Sequence, residues 1–372
     1  MLNVKTFVQK LNLLNFNFYS GVPCSFLGGL PDYLINKKKF LMSTNEGEAV
    51  SICAGASLAN KKSVILIQNS GLTNAISPLT SLNHTFKIPL LGFIGLRGHK
   101  TDEPQHRLVH DISKSLLNLM EIKNEVLSDD IHIASKQLTK ANNYIKKNKS
   151  FFFLVKKNTF EKIKLDKQNT KITKRKIFIQ SKKIEMNARF EVLKKISSLT
   201  TDNMAIMCTT GKTGRELHDI NDVKNNFYMV GSMGNVSSIA LGTALNSKKK
   251  IIAIDGDGSL LMKMGNLATN SFYGPKNFFH LLLDNHMHDS TGGQFTVSKN
   301  MDFLKIAYNS GYNKSFFIHS LDDLKKKIEL WKKKPSLTFA YMKILPGSIK
   351  NLGRPKLRPD QVKQRFMKFL NN

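Results

Sequence analysis

The stretch Ile251–Gln294, IIAIDGDGSLLMKMGNLATNSFYGPKNFFHLLLDNHMHDSTGGQ, restricts the fold more than any other part of the chain. It holds two short apolar runs, Ile251–Ile254 and Phe278–Leu283, each with the length and side chains of a buried strand. The first ends on Asp255-Gly256-Asp257-Gly258 and the second on Asp284-Asn285. In an open α/β sheet, neighbouring strand ends form the crevice where ligands bind. Asp257 and Asn285 are therefore expected side by side at one sheet edge. A hard divalent cation takes oxygen ligands of this kind, one or two carboxylates plus phosphate oxygens. The glycines flanking Asp257 let a diphosphate approach the backbone closely.

The rest of the chain repeats this style. At 372 residues with 41% hydrophobic content it is long enough for two cored domains. Strand-like runs alternate with helical ones in both halves, and polar groups follow the strands. This predicts an α/β protein of two doubly wound parallel-sheet domains, residues 1–160 and 187–372, joined by a polar linker at 161–186. The net charge is +30. The lysines are dispersed in short clusters such as Lys37–Lys39 and Lys248–Lys250, at the ends of apolar segments. They form no Arg-rich stripe interleaved with aromatics, so no nucleic-acid partner is expected, and the charge would steer anionic substrates inward. Three widely separated cysteines (Cys24, Cys53 and Cys208) carry no CxxC or Cys/His metal spacing, which points to a cytoplasmic protein. No apolar run approaches the roughly 20 residues a membrane span needs. Met1–Ser20 reads as an amphipathic helix rather than a signal peptide.

In the first half, Ser25 follows a short strand and turn, where it either caps a helix or touches a ligand. Glu46 stands where the strand Phe40–Asn45 meets a helix of small residues; such a Glu serves the helix dipole or a site. Glu48 reads as a cap or a solvent-facing residue. Ser70 lies just beyond the strand Ser63–Gln68. The loop Arg97–Arg107, after the strand Ile88–Leu96, holds Arg97 and His106 and is either an anion site or solvated surface. In the second half, Cys208–Glu216 contains Gly-Lys-Thr without the spacing of a P-loop, which rejects nucleoside triphosphate binding there. Gly231-Ser232-Met233-Gly234 follows another strand, and Met233 is either a core gap-filler or part of a site.

The order GDGS, spacer, Asn at the next strand end resembles the thiamine diphosphate signature of the thiamine-dependent decarboxylases. The resemblance implies that Asp257, Asn285 and the backbone carbonyl of Met287 hold Mg²⁺ on the cofactor's diphosphate. Gly256, Gly258 and Ser259 would line that diphosphate site. Asn45-Glu46 ahead of its small-residue helix is similar to the family's activating segment. Glu46 would bond the pyrimidine ring nitrogen, so that the imino tautomer removes the thiazolium C2 proton. Gly231, Ser232 and Met233 match the segment whose bulky apolar side chain bends the cofactor.

With no room for a middle domain, the chain resembles the compact two-domain members of the family that act on acidic pyruvates. Its segments GVPCSFL, RGHKTDEPQHRLVH, TTGKTGREL and LLLDNHMHDSTGGQFTVS resemble the phosphonopyruvate decarboxylases in particular. That implies non-oxidative decarboxylation of 3-phosphonopyruvate to phosphonoacetaldehyde in phosphonate biosynthesis. It also implies Ser25, Ser70, Arg97, His106, Ser290 and Thr291 around the substrate, His288 as a proton relay or a hydrogen-bonding loop residue, and a homodimer or larger assembly with active sites at subunit interfaces. The alternatives are a sulfopyruvate decarboxylase, another thiamine-dependent 2-oxo acid decarboxylase or carboligase, and, from a different class, a basic nucleic-acid-binding α/β protein.

Overall fold

A computed structural model of the chain describes residues 1–99, 102–168, 174–179 and 183–372. The chain forms two compact units, Met1–Thr170 and Lys171–Asn372. Residues Lys100 and Thr101 of the His-rich loop, and part of the stretch expected to link the halves, lie outside the described residues.

Among the described residues, the first unit carries one six-stranded sheet. Its strands are β1 (Phe16–Gly21), β2 (Phe40–Met42), β3 (Lys62–Gln68), β4 (Leu91–Gly95), β5 (Lys123–Val126) and β6 (Phe151–Val155). All pairings are parallel and the order is β2-β1-β3-β4-β6-β5. Alternation along the strands separates two cores. Val64, Leu66, Phe93, Phe151 and Phe153 pack under the helices Val4–Leu13 and Ile131–Lys146. Ile65, Ile67, Ile94, Phe152 and Leu154 pack under the helix Glu46–Leu58 on the other face. A parallel sheet covered on both faces makes its central strands apolar throughout, which is why they read as continuous runs. Each fully buried Phe, Leu or Ile contributes about 1.5–3 kcal/mol relative to exposure. Strand β5 has no such signal: at the sheet edge it buries only Asn124, and its sequence KNEV gave no strand expectation.

The second unit continues with β7 (Lys176–Phe178), β8 (Asn187–Ala188), β9 (Met204–Cys208), β10 (Asn226–Tyr228), β11 (Lys250–Gly256), β12 (Phe278–Asp284), β13 (Met287–His288), β14 (Gln294–Phe295), β15 (Lys314–Ile318) and β16 (Thr338–Leu345). The main sheet runs β10-β9-β11-β12-β16-β15-β7, with β8 beside β16. Its pairings are parallel, and β13 and β14 make a separate antiparallel hairpin. Strand β12 lies between β11 and β16 and is buried along its whole length. Lys176–Phe178 lies inside the stretch 161–186 read from sequence as a linker. It is an edge strand of the second sheet, bonded to β15; an exposed edge strand keeps the polar composition of a linker. No helix among the described residues is long and apolar enough to cross a membrane.

Candidate active site

In each sheet the chain reverses its direction of winding beside one strand, and the crevice of a doubly wound sheet opens there. In the second unit the reversal lies between β9 and β11. A cleft of about 250 Å³ sits at their C-terminal ends. It is lined by Thr209–Thr213 after β9, Gly256–Ser259 after β11, and Asn285 with Met287–Thr291 after β12. The register Gly256↔Leu283 brings Asp257 level with the end of β12. Met233 also lines the cleft. It is 55% exposed, so it is not filling a core gap. Gly231 and Ser232 precede it with φ of 67° and 45°, in the tight turn that ends β10's connection.

Asp257 is the first residue of the helix Asp257–Met262 and only 3% exposed. The hydroxyl of Thr296 donates to its Oδ2. Burial pushes the Asp257 carboxyl above the ordinary carboxylate range, and the nearby charge of Asp284 adds to the effect. Asp284 accepts from the His286 N–H at 3.0 Å, Ser298 Oγ at 3.2 Å and Tyr341 OH at 2.7 Å. Burial, with Asp284 beside it, keeps the Tyr341 phenol protonated and donating. Asp257, Asp284 and His286 offer ligand atoms within 4.8 Å of one another. No lysine or arginine among the described residues pairs with Asp257 or Asp284. Two buried carboxylates with no lysine or arginine to balance them are what a divalent cation neutralises.

Asn285 completes the oxygen set. Its Oδ1 accepts the Met287 N–H at 3.1 Å, and its Nδ2 donates to Asp289 Oδ2 at 2.6 Å. Next to Asp257, Gly258 is a position of close approach: a Cβ there would lie 2.7 Å from His288 Cε1. Ser290 faces Gly211, and the exposed Thr291 donates to Gln294 Oε1 at 2.8 Å. Ser259 Oγ receives Thr209 Oγ1 at 3.0 Å and the Gly234 N–H at 3.1 Å, tying the three Gly-rich turns together. A carboxylate, an amide oxygen and a glycine-lined floor fit a Mg²⁺–diphosphate group.

The first unit reverses between β1 and β3. Glu46 opens the helix Glu46–Leu58 and is 8% exposed. Asn74 Nδ2 donates to its Oε2 at 2.9 Å, and its Oε1 lies against Gly71, where a Cβ would collide with the carboxylate. Glu48, read as a cap or a solvent-facing residue, is a fully buried cap. It accepts the Thr44 N–H at 2.6 Å and Thr44 Oγ1 at 2.7 Å, while Asn45 Oδ1 accepts the Glu48 N–H. Ser25 and Ser70 are exposed at the ends of β1 and β3. Asn69 bridges β3 to the backbone of Arg97. The Arg97 guanidinium forks onto Asp102 at 2.6 and 3.1 Å and reaches Glu103 at 3.2 Å. That fork holds the Asp102 carboxyl well below its usual range. The Arg97 guanidinium is thus engaged by the loop's own acids. His106 is buried, with Nε2 3.6 Å from Glu103.

Sequence reasoning named the residues at strand ends and missed those that orient them. Asn74, Gly71, Thr296, Asp289 and Arg189 had no role assigned, although HDSTGGQ, which contains Asp289, was among the most specific segments. Thr209–Lys212, a non-matching P-loop within the segment TTGKTGREL that carries the resemblance, forms one wall of the cleft, although no residue in it was named for the site.

Residues 209–339 match the family model described as Thiamine pyrophosphate enzyme, C-terminal TPP binding domain. The chain is 34% identical over 380 residues to a phosphonopyruvate decarboxylase of Streptomyces viridochromogenes, covering 100% of this chain and 95% of that one. It is 28% identical to a sulfopyruvate decarboxylase of Methanosarcina acetivorans, covering 98% and 96%. Among solved structures, the benzoylformate decarboxylase of Polynucleobacter necessarius superposes with a TM-score of 0.71 at 12% identity, covering 94% of this chain and 100% of that one; this likeness shows the fold alone.

Proposed function

The chain belongs to the phosphonopyruvate decarboxylase family of thiamine diphosphate enzymes, and from that premise we infer that it is a carbon–carbon lyase. It releases CO₂ from 3-phosphonopyruvate and leaves phosphonoacetaldehyde, a step of phosphonate biosynthesis. The observation that carries the reading is the placement of Asp257 and Asn285 at adjacent strand ends, in a chain whose likeness to a phosphonopyruvate decarboxylase runs its whole length.

When bound, thiamine diphosphate supplies the electron sink for carbon–carbon cleavage. Asp257, Asn285 and the Met287 carbonyl would hold Mg²⁺ on its diphosphate. Gly256, Gly258 and Ser259 would let the phosphates lie on the backbone. Met233, with Gly231 and Ser232 shaping its turn, would support the bent cofactor. Glu46 holds and exchanges a proton at its carboxylate, which Asn74 orients from one side and Gly71 leaves room for on the other. Ser25, Ser70, Ser290 and Thr291 provide hydroxyl donors for an oxyanion group, and His106 adds a ring N–H. Arg97 contributes through the charge balance of its loop, because its fork is occupied by Asp102. His288 relays a proton near Gly258.

The test is CO₂ release from phosphonopyruvate and from sulfopyruvate, each with and without thiamine diphosphate and Mg²⁺. Cofactor-dependent release, faster with phosphonopyruvate, is expected. Faster release from sulfopyruvate would keep the chemistry and move the substrate.

We further infer a homodimer or larger assembly in which subunits share active sites, as the family resemblance implies. Sedimentation at working concentration is expected to show no active monomer. The three cysteines are buried and free, which supports a cytoplasmic setting.

A further inference from the structure

The amide of Asn285 has two faces, and only its oxygen can bind a cation. Asp289 Oδ2 receives Asn285 Nδ2 at 2.6 Å and Arg189 Nη1 at 3.1 Å, and the Gly347 N–H reaches the same carboxylate at 3.2 Å. Arg189 is itself immobilised: its Nε and Nη2 grip Glu216 at 3.0 and 3.2 Å, and its Nη2 also donates to the Gly347 carbonyl at 3.1 Å. Arg189 and Glu216 are both buried. A carboxylate only accepts hydrogen bonds. A flipped Asn285 would set its oxygen against the Asp289 carboxylate and its NH₂ against the Met287 N–H, two repulsive contacts in place of two hydrogen bonds.

We propose that Asp289, anchored by Arg189, is the positioning residue that turns the Asn285 amide so that its oxygen, not its NH₂, faces the cation bound beside Asp257. The proposal rests on the reading of this cleft as the metal–diphosphate site. Asp289 touches neither cofactor nor substrate in this role; it acts through Asn285.

The test is direct titration of Mn²⁺ into the full-length protein with thiamine diphosphate and no substrate, with free Mn²⁺ read by electron paramagnetic resonance. Asp289→Asn keeps the size of the side chain and leaves the Arg189–Glu216 pair in place. It is expected to raise the apparent Mn²⁺ dissociation constant about 10- to 100-fold, the usual effect of removing a group that orients a metal ligand. The reciprocal double variant Asn285→Asp with Asp289→Asn restores a carboxamide donor facing a carboxylate acceptor, with the oxygen ligand now on residue 285. Its Mn²⁺ affinity is expected to return toward that of the wild type. Asn285→Asp alone, which gains the carboxylate ligand but sets it against the Asp289 carboxylate, is the control for added charge and is expected to bind Mn²⁺ more weakly than the double variant; a purely structural Asp289 predicts that the second substitution brings no gain over it. Unchanged affinity in Asp289→Asn, or a double variant as weak as the single one, would overturn the proposal. Wild-type protein that binds no Mn²⁺ in the presence of thiamine diphosphate would overturn the metal-site reading and this proposal with it, an outcome readable without any decarboxylation assay.

Discussion

Asp257→Asn is expected to cost at least about a thousandfold in decarboxylation, equivalent to ~4 kcal/mol of lost transition-state stabilisation, while making the metal-free protein more stable. Both effects come from one fact: a carboxylate is buried next to Asp284 with no lysine or arginine paired to it among the described residues. In the loaded enzyme that charge would hold the cation. Without metal it is a liability, because burial disfavours the ionised form. The direction with pH follows. The folded carboxyl takes up a proton more readily than the unfolded one, whose pKa is about 3.9. The native state therefore binds more protons between that value and its raised pKa. Wild-type stability from this group is full below the unfolded value and falls as pH rises through the folded one. The asparagine variant lacks this fall, so its advantage opens as pH rises above the unfolded value and is complete once pH has passed the raised folded one. Melting curves in chelator are the measurement, with about 2–4 °C expected for each kcal/mol relieved in a unit of this size. Saturating Mg²⁺ and thiamine diphosphate are expected to reverse the order. A metal-free variant that melts below wild type at neutral pH would show that Asp257 is a structural partner and not a poised ligand.

Glu46→Gln is expected to lower kcat about 10²- to 10⁴-fold, the range for loss of a positioned acid–base group, with little change in thiamine diphosphate affinity. The substitution keeps length and an oxygen for Asn74 to reach, and removes only the exchangeable proton. Gly71→Ala is the geometric companion. Its new methyl would occupy the space of the Glu46 carboxylate, so it keeps the acid and displaces it. Activity is expected to fall in both, with the acid restored but misplaced in the second. Titration calorimetry with the cofactor, beside CO₂ release, separates binding from turnover. A Glu46→Gln enzyme within a factor of about ten of wild type, a single step of 1.36 kcal/mol, would remove Glu46 from the chemistry.

The two cases show how differently these sites were written in the chain. Asp257 and Asn285 stand within one contiguous stretch, because adjacent parallel strands joined by a short helical crossover place their C-terminal ends together. Glu46 is marked in the chain only by the resemblance of Asn45-Glu46 and its small-residue helix; by residue chemistry a Glu at the first turn of a helix is ordinary. What sets it apart is Gly71 and Asn74, brought against it from the next strand–helix connection. Arg97 is a third case: its loop reads from sequence as either an anion site or solvated surface, and folding sets the guanidinium on Asp102, five positions along.

From sequence alone came the class of architecture, its two similar halves and the candidate oxygen ligands at strand ends. Those follow from periodicity and from residue types at apolar run boundaries, which act over a few neighbours. The tertiary structure alone decided which groups orient those ligands. Thr296 on Asp257, Arg189 on Asp289 and Tyr341 on Asp284 reach their partners from other segments, 100 positions away in the case of Arg189 and Asp289, whereas Asp289 meets Asn285 from within the same loop. A hydrogen bond needs its donor within about 3 Å of its acceptor, and no local pattern encodes that distance between residues so far apart in the chain.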